Sequence, residues 1–191
     1  MSLDGSIAAP DAAPGRGLGR GGEVLHNWVH GGDWGSFSPT GVDREVGQAL
    51  FADAGACLVG RRTFDVSEAW GGNPPGGLPC FVVTHEPPAE WVKAGSPFTF
   101  VTEGPENALA RERAVAGDKQ VYIGGGADIA NQLLRTGLID EIRIHLVPVL
   151  LGEGTRLFER LASEPISLEA AGVIESPFAT HLRFRVLRES N

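Results

Sequence analysis

The chain has 191 residues, of which 42% are hydrophobic, and a formal net charge of −8 at pH 7. A chain of this length buries about 70% of the surface that its unfolded form exposes, so a single domain can fold without disulfides. The acidic balance argues against a nucleic-acid partner, which would require a basic face. The sequence has no apolar run of about 18 residues and no basic leader, which predicts a cytoplasmic protein without a membrane partner.

The two cysteines, Cys57 and Cys80, each lie inside an apolar run. Neither a C-x-x-C pair nor a Cys/His cluster with metal-ligand spacing accompanies them. The sequence therefore predicts that both thiols are small core residues and that the protein has no metal site.

Residues 1–39 are rich in glycine and predict a loop segment at the start of a single domain that spans residues 1–191. This segment also contains His26, Trp28 and Trp34, side chains that a disordered linker does not usually carry. Two interpretations remain open, a functional loop that closes over a ligand and a floppy terminus.

The segment that follows has the pattern of a helix and then a strand. Apolar residues at helical spacing predict a helix over 40–54, with Asp43 and Glu45 in the first turn, where the helix dipole favours acidic groups. Capping and dipole roles are the expected ones for both carboxylates. We expect Gly55 to end the helix and a buried strand to cover 56–59.

Further apolar runs predict three more strands and two more helices. The strands cover 80–84, 98–101 and 121–123, and the helices cover 106–116, with exposed charges, and the residues between the glycine turn and Gly137. This alternating order implies a largely parallel sheet that is covered on both faces.

The carboxyl-terminal part alternates apolar and polar residues with the period of a strand. The two segments are 142–146 and 182–186, and each has one buried face and one wetter face, with His145 on the wetter face of the first. They predict an antiparallel pair. Residues 166–174 predict an additional irregular strand.

Three of the predicted parallel strands end in groups that suit an anion. Residues 60–63 place two arginines at a helix start, 84–85 add a threonine and a histidine, and 124–126 are three glycines before a helix. Ligands collect at the carboxyl ends of parallel strands, and helix N–H groups bind phosphate. The three ends together predict a dinucleotide-like ligand, although the glycines do not form the G-x-G-x-x-G or P-loop motif and could simply avoid a clash.

Four stretches of the chain form a recognisable combination. They are Gly60-Arg-Arg-Thr-Phe64, Val83-Thr-His85, Ile123-Gly-Gly-Gly126 and Asp140-Glu-Ile-Arg-Ile-His-Leu-Val-Pro-Val-Leu-Leu-Gly152. Together they resemble the dihydrofolate-reductase-like superfamily, and within it the C-terminal reductase domain of the bifunctional riboflavin-biosynthesis deaminase-reductase. The opening Met1-Ser-Leu-Asp-Gly5, the 21–26 stretch and Trp28 are similar to the stand-alone relatives of that domain.

The resemblance implies an α/β fold of three layers, with a mainly parallel twisted sheet, helices on both faces and a C-terminal antiparallel hairpin. It implies a homodimer and an NADPH-dependent reductase that transfers hydride to a pyrimidine, a ribosylamino-pyrimidine or a pterin-like molecule. The alternatives are dihydrofolate reductase proper, against which the lack of a clear helical carboxylate argues, and a nucleotide-binding regulatory protein without turnover. Relatives have an apolar strand before Ser-Leu-Asp-Gly, so we expect that this strand is missing or that the true start lies upstream.

The resemblance also implies which residues form the site. The cofactor-binding residues would be Gly60, Arg61, Arg62, Thr63, Thr84, His85, Gly124, Gly125, Gly126, Ala127, Asp128 and Ile129. The substrate-binding residues would be Asp4, Trp28, Gly152 and Gly154. The proton donor stays open among Asp4, His26 and the carboxylates of the first helix. Glu86 stands where many relatives have a basic residue, so any preference for NADPH over NADH depends on the two arginines.

Overall fold

The computed structural model describes residues 1–32, 38–159, 161 and 164–188. The chain divides into two compact units, one formed by 1–12, 18–48 and 131–191 and the other by 13–17 and 49–130. The assignment of a single domain stays a prediction. Among the described residues, no helix has both the length and the apolar character that crossing a membrane would need.

The 49–130 unit is built on a four-stranded parallel sheet. Its strands, in spatial order, are β4 (Phe98–Val101), β3 (Cys80–Val83), β2 (Ala54–Gly60) and β5 (Gln120–Ile123). The inner strand β2 is buried almost throughout, as its unbroken apolar sequence predicts for a strand covered on both faces. The parallel sheet and its four strands are confirmed, with ends that shift by one or two residues.

Helices follow three of these strands. They are α3 (Arg61–Val66) after β2, α4 (Pro105–Ala116) after β4 and α5 (Ala127–Arg135) after β5. The helix predicted over 40–54 is α2 (Gly41–Ala52). Gly55 does not end this helix but lies inside β2. A glycine is needed at this position because α4 approaches so closely that a Cβ at Gly55 would be 2.7 Å from the Cα of Ala116.

Aromatic rings and the two cysteine side chains form the core of this unit. Cys57 and Cys80 occupy paired positions on β2 and β3, and both are buried and free. Around them pack Phe64 and Phe98, whose ring centroids are 5.0 Å apart in an edge-on arrangement. The prediction that both cysteines are small core residues is confirmed.

The other unit contains a three-stranded antiparallel sheet. Its strands, in spatial order, are β6 (Glu141–Leu146), β9 (Thr180–Val186) and β8 (Leu168–Glu175). The predicted antiparallel pair is confirmed, with Ile142 opposite Phe184. The strand predicted over 166–174 is less irregular than expected, because a single bulge between Ala170 and Gly172 lets β8 pair with β9 along its length.

The glycine-rich start of the chain contains more structure than the predicted loop. β1 (Ser6–Ala8) pairs antiparallel with β7 (Thr155–Arg156), and a 3-10 helix (Gly22–His26) leads into α1 (Asn27–His30). Leu25 and Trp28 are 2% and 5% exposed, so this segment supplies core side chains that hold it in place. Trp34 lies outside the described residues.

Candidate functional site

The glycine turn after β5 is shaped by its neighbours in the 49–130 unit. The N–H of Gly124 donates to the carbonyl of Leu58 at 2.8 Å, and a Cβ on Gly124 would lie 3.1 Å from the Sγ of Cys57. Gly125 and Gly126 have φ values of 136° and 92°, which side chains rarely tolerate. Avoidance of a clash is therefore part of the reason for these glycines.

The same turn presents backbone donors at the start of α5. The first helical bond that follows it runs from the N–H of Ala130 to the carbonyl of Gly126, at 3.1 Å. The N–H groups of residues 127–129 lie in the first turn, at the end of the helix dipole that carries partial positive charge. The Thr63 hydroxyl would lie 3.5 Å from a Cβ on Gly126, which brings a side-chain donor to the turn. These donors suit a phosphate, whereas the exposed carboxylate of Asp128 opposes one.

Arg61 links the strand ends rather than reaching freely into solvent. Its Nε donates to both carboxylate oxygens of Asp65, at 2.8 and 2.9 Å. One of its Nη groups donates to the carbonyl of Glu86 and lies 3.5 Å from the Oγ1 of Thr84. A guanidinium held in this way fixes the turn after β3 and offers less charge to a phosphate.

Thr84 and its neighbours divide into a buried and an exposed group. Thr84 is 6% exposed, and its hydroxyl donates to the carbonyl of Glu86 at 3.0 Å and accepts from the N–H of Glu86 at 3.2 Å. These bonds close a turn, as is common for threonine. His85 and Arg62 are exposed at the same sheet edge. The structure thus brings the predicted cofactor residues to one edge but gives Thr84 and Arg61 structural contacts.

In the other unit, Asp4 fixes the loop that contains Gly152. Its carboxylate accepts hydrogen bonds from the hydroxyl of Ser2 and from the N–H groups of Leu151 and Gly152, the latter two at 3.2 and 2.7 Å. The Ser2 hydroxyl contributes most to the effect of these bonds, which lower the pKa of Asp4 to about 2. A carboxylate that stays ionised at neutral pH is a poor proton donor, so the geometry favours a positioning role for Asp4.

Gly154 allows the same loop to pass against β1. A Cβ on this residue would lie 2.1 Å from the carbonyl oxygen of Ala8, and its φ is 146°. Gly152 also has a positive φ, of 78°. Both predicted substrate residues therefore have conformational reasons to be glycine, and they lie on a loop tied to the Ser-Leu-Asp-Gly motif.

Three polar residues of this unit form a chain that the sequence patterns did not predict. The Nδ1 atoms of His145 and His181 are 2.7 Å apart, and the Nε2 of His181 is 2.8 Å from the Oδ1 of Asp43. The histidines are paired positions on β6 and β9, and Asp43 is on α2. Asp43 and His181 are 1% and 6% exposed. Asp43 does lie in the first turn of α2, as expected, but its side chain contacts a histidine, which the expected capping and dipole roles did not include.

Trp28 covers both imidazoles of this chain. Its ring centroid lies 4.1 Å from that of His145, in a tilted stack, and 5.2 Å from that of His181, edge-on. Desolvation, followed by repulsion from His181, lowers the pKa of His145 to about 3. His145 is therefore a neutral imidazole at pH 7, and the predicted substrate residue Trp28 packs directly on it.

His26, the other predicted proton donor, ends the 3-10 helix near His30. The two ring centroids are 6.3 Å apart. Desolvation and, to a smaller extent, repulsion from His30 lower the pKa of His26. The residue is nevertheless exposed to solvent, so the effect of desolvation on its pKa is small. His26 is mainly neutral at pH 7, which does not favour it as an acid.

A comparison with protein families shows to which family the chain belongs. The RibD C-terminal domain family matches residues 1–179 of this chain. The chain belongs to this family. Membership in the RibD C-terminal domain family supports a riboflavin-pathway-type reductase in general, and it confirms the resemblance on which the predicted site residues rest. Within the described ranges, no group of three or more His, Cys, Asp or Glu side chains could hold a metal ion.

One curated relative is similar to part of the chain. The uncharacterized protein YwjB of Bacillus subtilis (strain 168) is 34% identical over 85 residues, which are 44% of this chain and 47% of YwjB. The match thus spans about half the length of that curated relative.

Two solved structures have the same fold. One is a protein of Shewanella sp. PV-4 named for riboflavin biosynthesis, with a TM-score of 0.73 at 23% identity over 98% of this chain and 96% of that one. The other is a pyrimidine reductase-like protein of Corynebacterium diphtheriae, with a TM-score of 0.62 at 14% identity over 99% and 90%. At these identities the likeness shows the fold alone, and it confirms the predicted α/β architecture.

Proposed function

We propose that the chain is an NADPH-dependent reductase that transfers hydride to a pyrimidine, a ribosylamino-pyrimidine or a pterin-like small molecule. The supporting observation is that the polar ends of β3, β2 and β5 lie on adjacent strands of one parallel sheet, in a chain of the RibD C-terminal family. In an open parallel sheet this edge is where nucleotides bind.

The groups at this edge fit a phosphorylated cofactor. The N–H groups of 127–129 and the hydroxyl of Thr63 would hold a phosphate near the glycine turn, and Arg62 would neutralise a second one. Arg61, Thr84 and their turn would shape the adjoining part of the edge. NADPH supplies hydride chemistry when bound, so the task of the protein is to position it and exclude water.

The first test is a titration with NADPH and NADH. We expect NADPH to bind more tightly than NADH, and Arg62→Ala to weaken NADPH binding by about 10- to 100-fold because a charged hydrogen bond contributes about 1.5 to 3 kcal/mol. Arg113→Ala removes an exposed arginine of α4 and serves as the matched control. Equal effects of both variants, or no binding of either cofactor to the wild type, would contradict the proposed cofactor site.

One observation also supports dihydrofolate reductase proper. The sequence offered no clear helical carboxylate, but Asp43 on α2 is a buried carboxylate that contacts His181. Turnover of dihydrofolate, compared with turnover of pyrimidine and pterin substrates at equal concentration, separates the two activities. NADPH binding without oxidation in the presence of any of these substrates would favour the regulatory alternative.

We further propose that the protein is a homodimer through β8. This edge strand is exposed along all eight residues, and Val173 and Ile174, which point to opposite faces, are 60% and 48% exposed. An edge with unpaired backbone groups and apolar side chains favours pairing with a second copy. Sedimentation should show a dimer that Val173→Glu converts to monomers, whereas Val115→Glu on α4 should not. A monomeric wild type would refute the proposal.

A further inference from the structure

An ion pair between Arg61 and Asp65 lies at the carboxyl end of β2. The Nε of Arg61 donates to both carboxylate oxygens of Asp65, at 2.8 and 2.9 Å. Both residues belong to α3, which follows β2 directly in the 49–130 unit, and their side chains are 38% and 40% exposed. The pair is therefore at the sheet edge to which the proposed function assigns the cofactor, and a ligand can reach it.

The stability of α3 does not explain this pair. Arg61 is the first residue of the helix, and Asp65 is in its last turn. The helix dipole favours acidic groups at the start and basic groups at the end, so this order is the less favourable one for two residues four apart. Ion pairs that are exposed to this degree also contribute little to folding. A role towards a charged ligand explains the pair better than a role in the helix.

The turn after β3 has contacts that do not involve Asp65. The hydroxyl of Thr84 closes this turn through the carbonyl and the N–H of Glu86, and the N–H of Thr84 donates to the carbonyl of Val101 at 3.0 Å. Arg61 adds a hydrogen bond from one of its Nη groups to the carbonyl of Glu86. Asp65 contacts Arg61 at the other side of the guanidinium, so its main contribution to the edge is a negative charge beside that arginine.

The charges at this edge are nearly balanced. The segments that follow β2, β3 and β5 contain two arginines and three carboxylates, which are Arg61, Arg62, Asp65, Glu86 and Asp128. An edge without an excess of positive charge attracts an additional phosphate group only weakly. Asp65 affects this balance most directly, because its carboxylate neutralises one of the two arginines.

We propose that Asp65 sets the cofactor preference of this protein, because it neutralises Arg61 and so limits the preference for NADPH over NADH. The inference rests on the proposed function. NADPH differs from NADH by a 2′-phosphate with about two negative charges, and an arginine at the edge of a parallel sheet can accommodate that group. Asp65 acts on the ligand through Arg61 and is therefore a positioning residue.

The experiment measures the Kd values of NADPH and NADH by fluorescence titration at low salt, about 20 mM, where charges act over a long range. Asp65→Asn should raise the ratio of the NADH Kd to the NADPH Kd by about 3- to 10-fold, because Arg61 is no longer neutralised. Asp65→Glu keeps the charge and should keep the wild-type ratio. Asp118→Asn, which removes an exposed carboxylate from the turn before β5, is the matched control and should also keep it.

The same titrations at high salt, about 500 mM, separate a charge effect from a structural one. The gain in Asp65→Asn should shrink there, because salt screens the interaction of exposed charges. Equal changes of both Kd values in Asp65→Asn, or a gain that is the same at both salt concentrations, would overturn the inference. If the wild type binds neither cofactor, the proposed function fails and the inference fails with it. If the wild type binds NADPH and the ratio is unchanged in Asp65→Asn, only the inference fails.

Discussion

Two buried carboxyl groups of this protein have opposite surroundings. Asp43 on α2 is 1% exposed and bonds to His181, whereas Glu112 on α4 is 0% exposed and neither of its oxygens has a hydrogen-bond partner among the described residues. Desolvation, followed by the nearby Cys80, raises the pKa of Glu112 to about 9. Glu112 is therefore a neutral acid at pH 7.

The difference shows that burial alone does not decide the state of a carboxyl group. Without a partner, the group gives up its charge to avoid the cost of desolvation. Asp43 instead has an imidazole at 2.8 Å and a position in the first turn of a helix, where the dipole favours an acidic group. Of these two carboxyl groups, only Asp43 is part of a polar network, with His181 and His145.

The largest expected effect is that of removing the partnered group. Asp43→Ala should lower the free energy of unfolding by about 3 kcal/mol, because it leaves the buried ring of His181 without its hydrogen-bond partner. Urea unfolding at pH 7 measures the loss, with Asp118→Ala as the exposed control. Similar losses in both variants would mean that the bond to His181 does not stabilise the protein.

Replacing Glu112, which has no hydrogen-bond partner among the described residues, should stabilise the protein at high pH rather than destabilise it. The pKa of Glu112 is above its unfolded value of 4.5, so the folded state binds more protons and wild-type stability falls as pH rises from about 4.5 to about 9. Glu112→Gln removes this slope. Relative to the wild type, the variant should gain on the order of 3 kcal/mol between pH 5 and pH 8. Parallel stability curves for the two proteins would contradict the assignment.

Asp4 extends the comparison to a carboxylate at the surface, and its effect should be the smallest. Its pKa of about 2 is below the ordinary value of 3.8, so its contribution is present above about pH 4 and is lost as pH falls towards 2. Asp4→Asn should therefore be less stable than the wild type at pH 6 and similar to it at pH 2. Unfolding curves at both values test this, and a constant difference would refute it.

Most of the fold could be predicted because its signals are local in the sequence. The apolar runs of β2, β3 and β4 and the glycine turn at 124–126 each occupy a few consecutive residues. The rule that ligands collect at the carboxyl ends of parallel strands joined the polar strand ends into one edge. The missed chain has no such signal, since Asp43 and His181 are 138 positions apart. The alternation over 142–146 did place His145 on the wetter face, but His181 lies just outside the predicted segment 182–186, and only the register puts the two opposite each other.

Glu112 was missed for a different reason. The charges of the helix over 106–116 were expected to be exposed, because a carboxylate is usually a surface residue. The buried positions of α4 include Ala108, Glu112 and Ala116, which are spaced by four residues and therefore share one face. The spacing could have predicted that Glu112 is buried, but a glutamate was expected to be exposed because of its charge.

The pairing of β1 with β7 has a consequence for synthesis on the ribosome. Ser2 bridges Val147, and Ser6 pairs with Arg156, so residues 2–6 find their strand partners only about 150 positions later in the chain. At about 5 to 20 residues per second, they wait for many seconds. The parallel sheet has all its strands between 54 and 123 and can assemble earlier. Nascent chains halted after the sheet has emerged should therefore resist proteolysis within 49–130 while residues 1–8 are still cleaved.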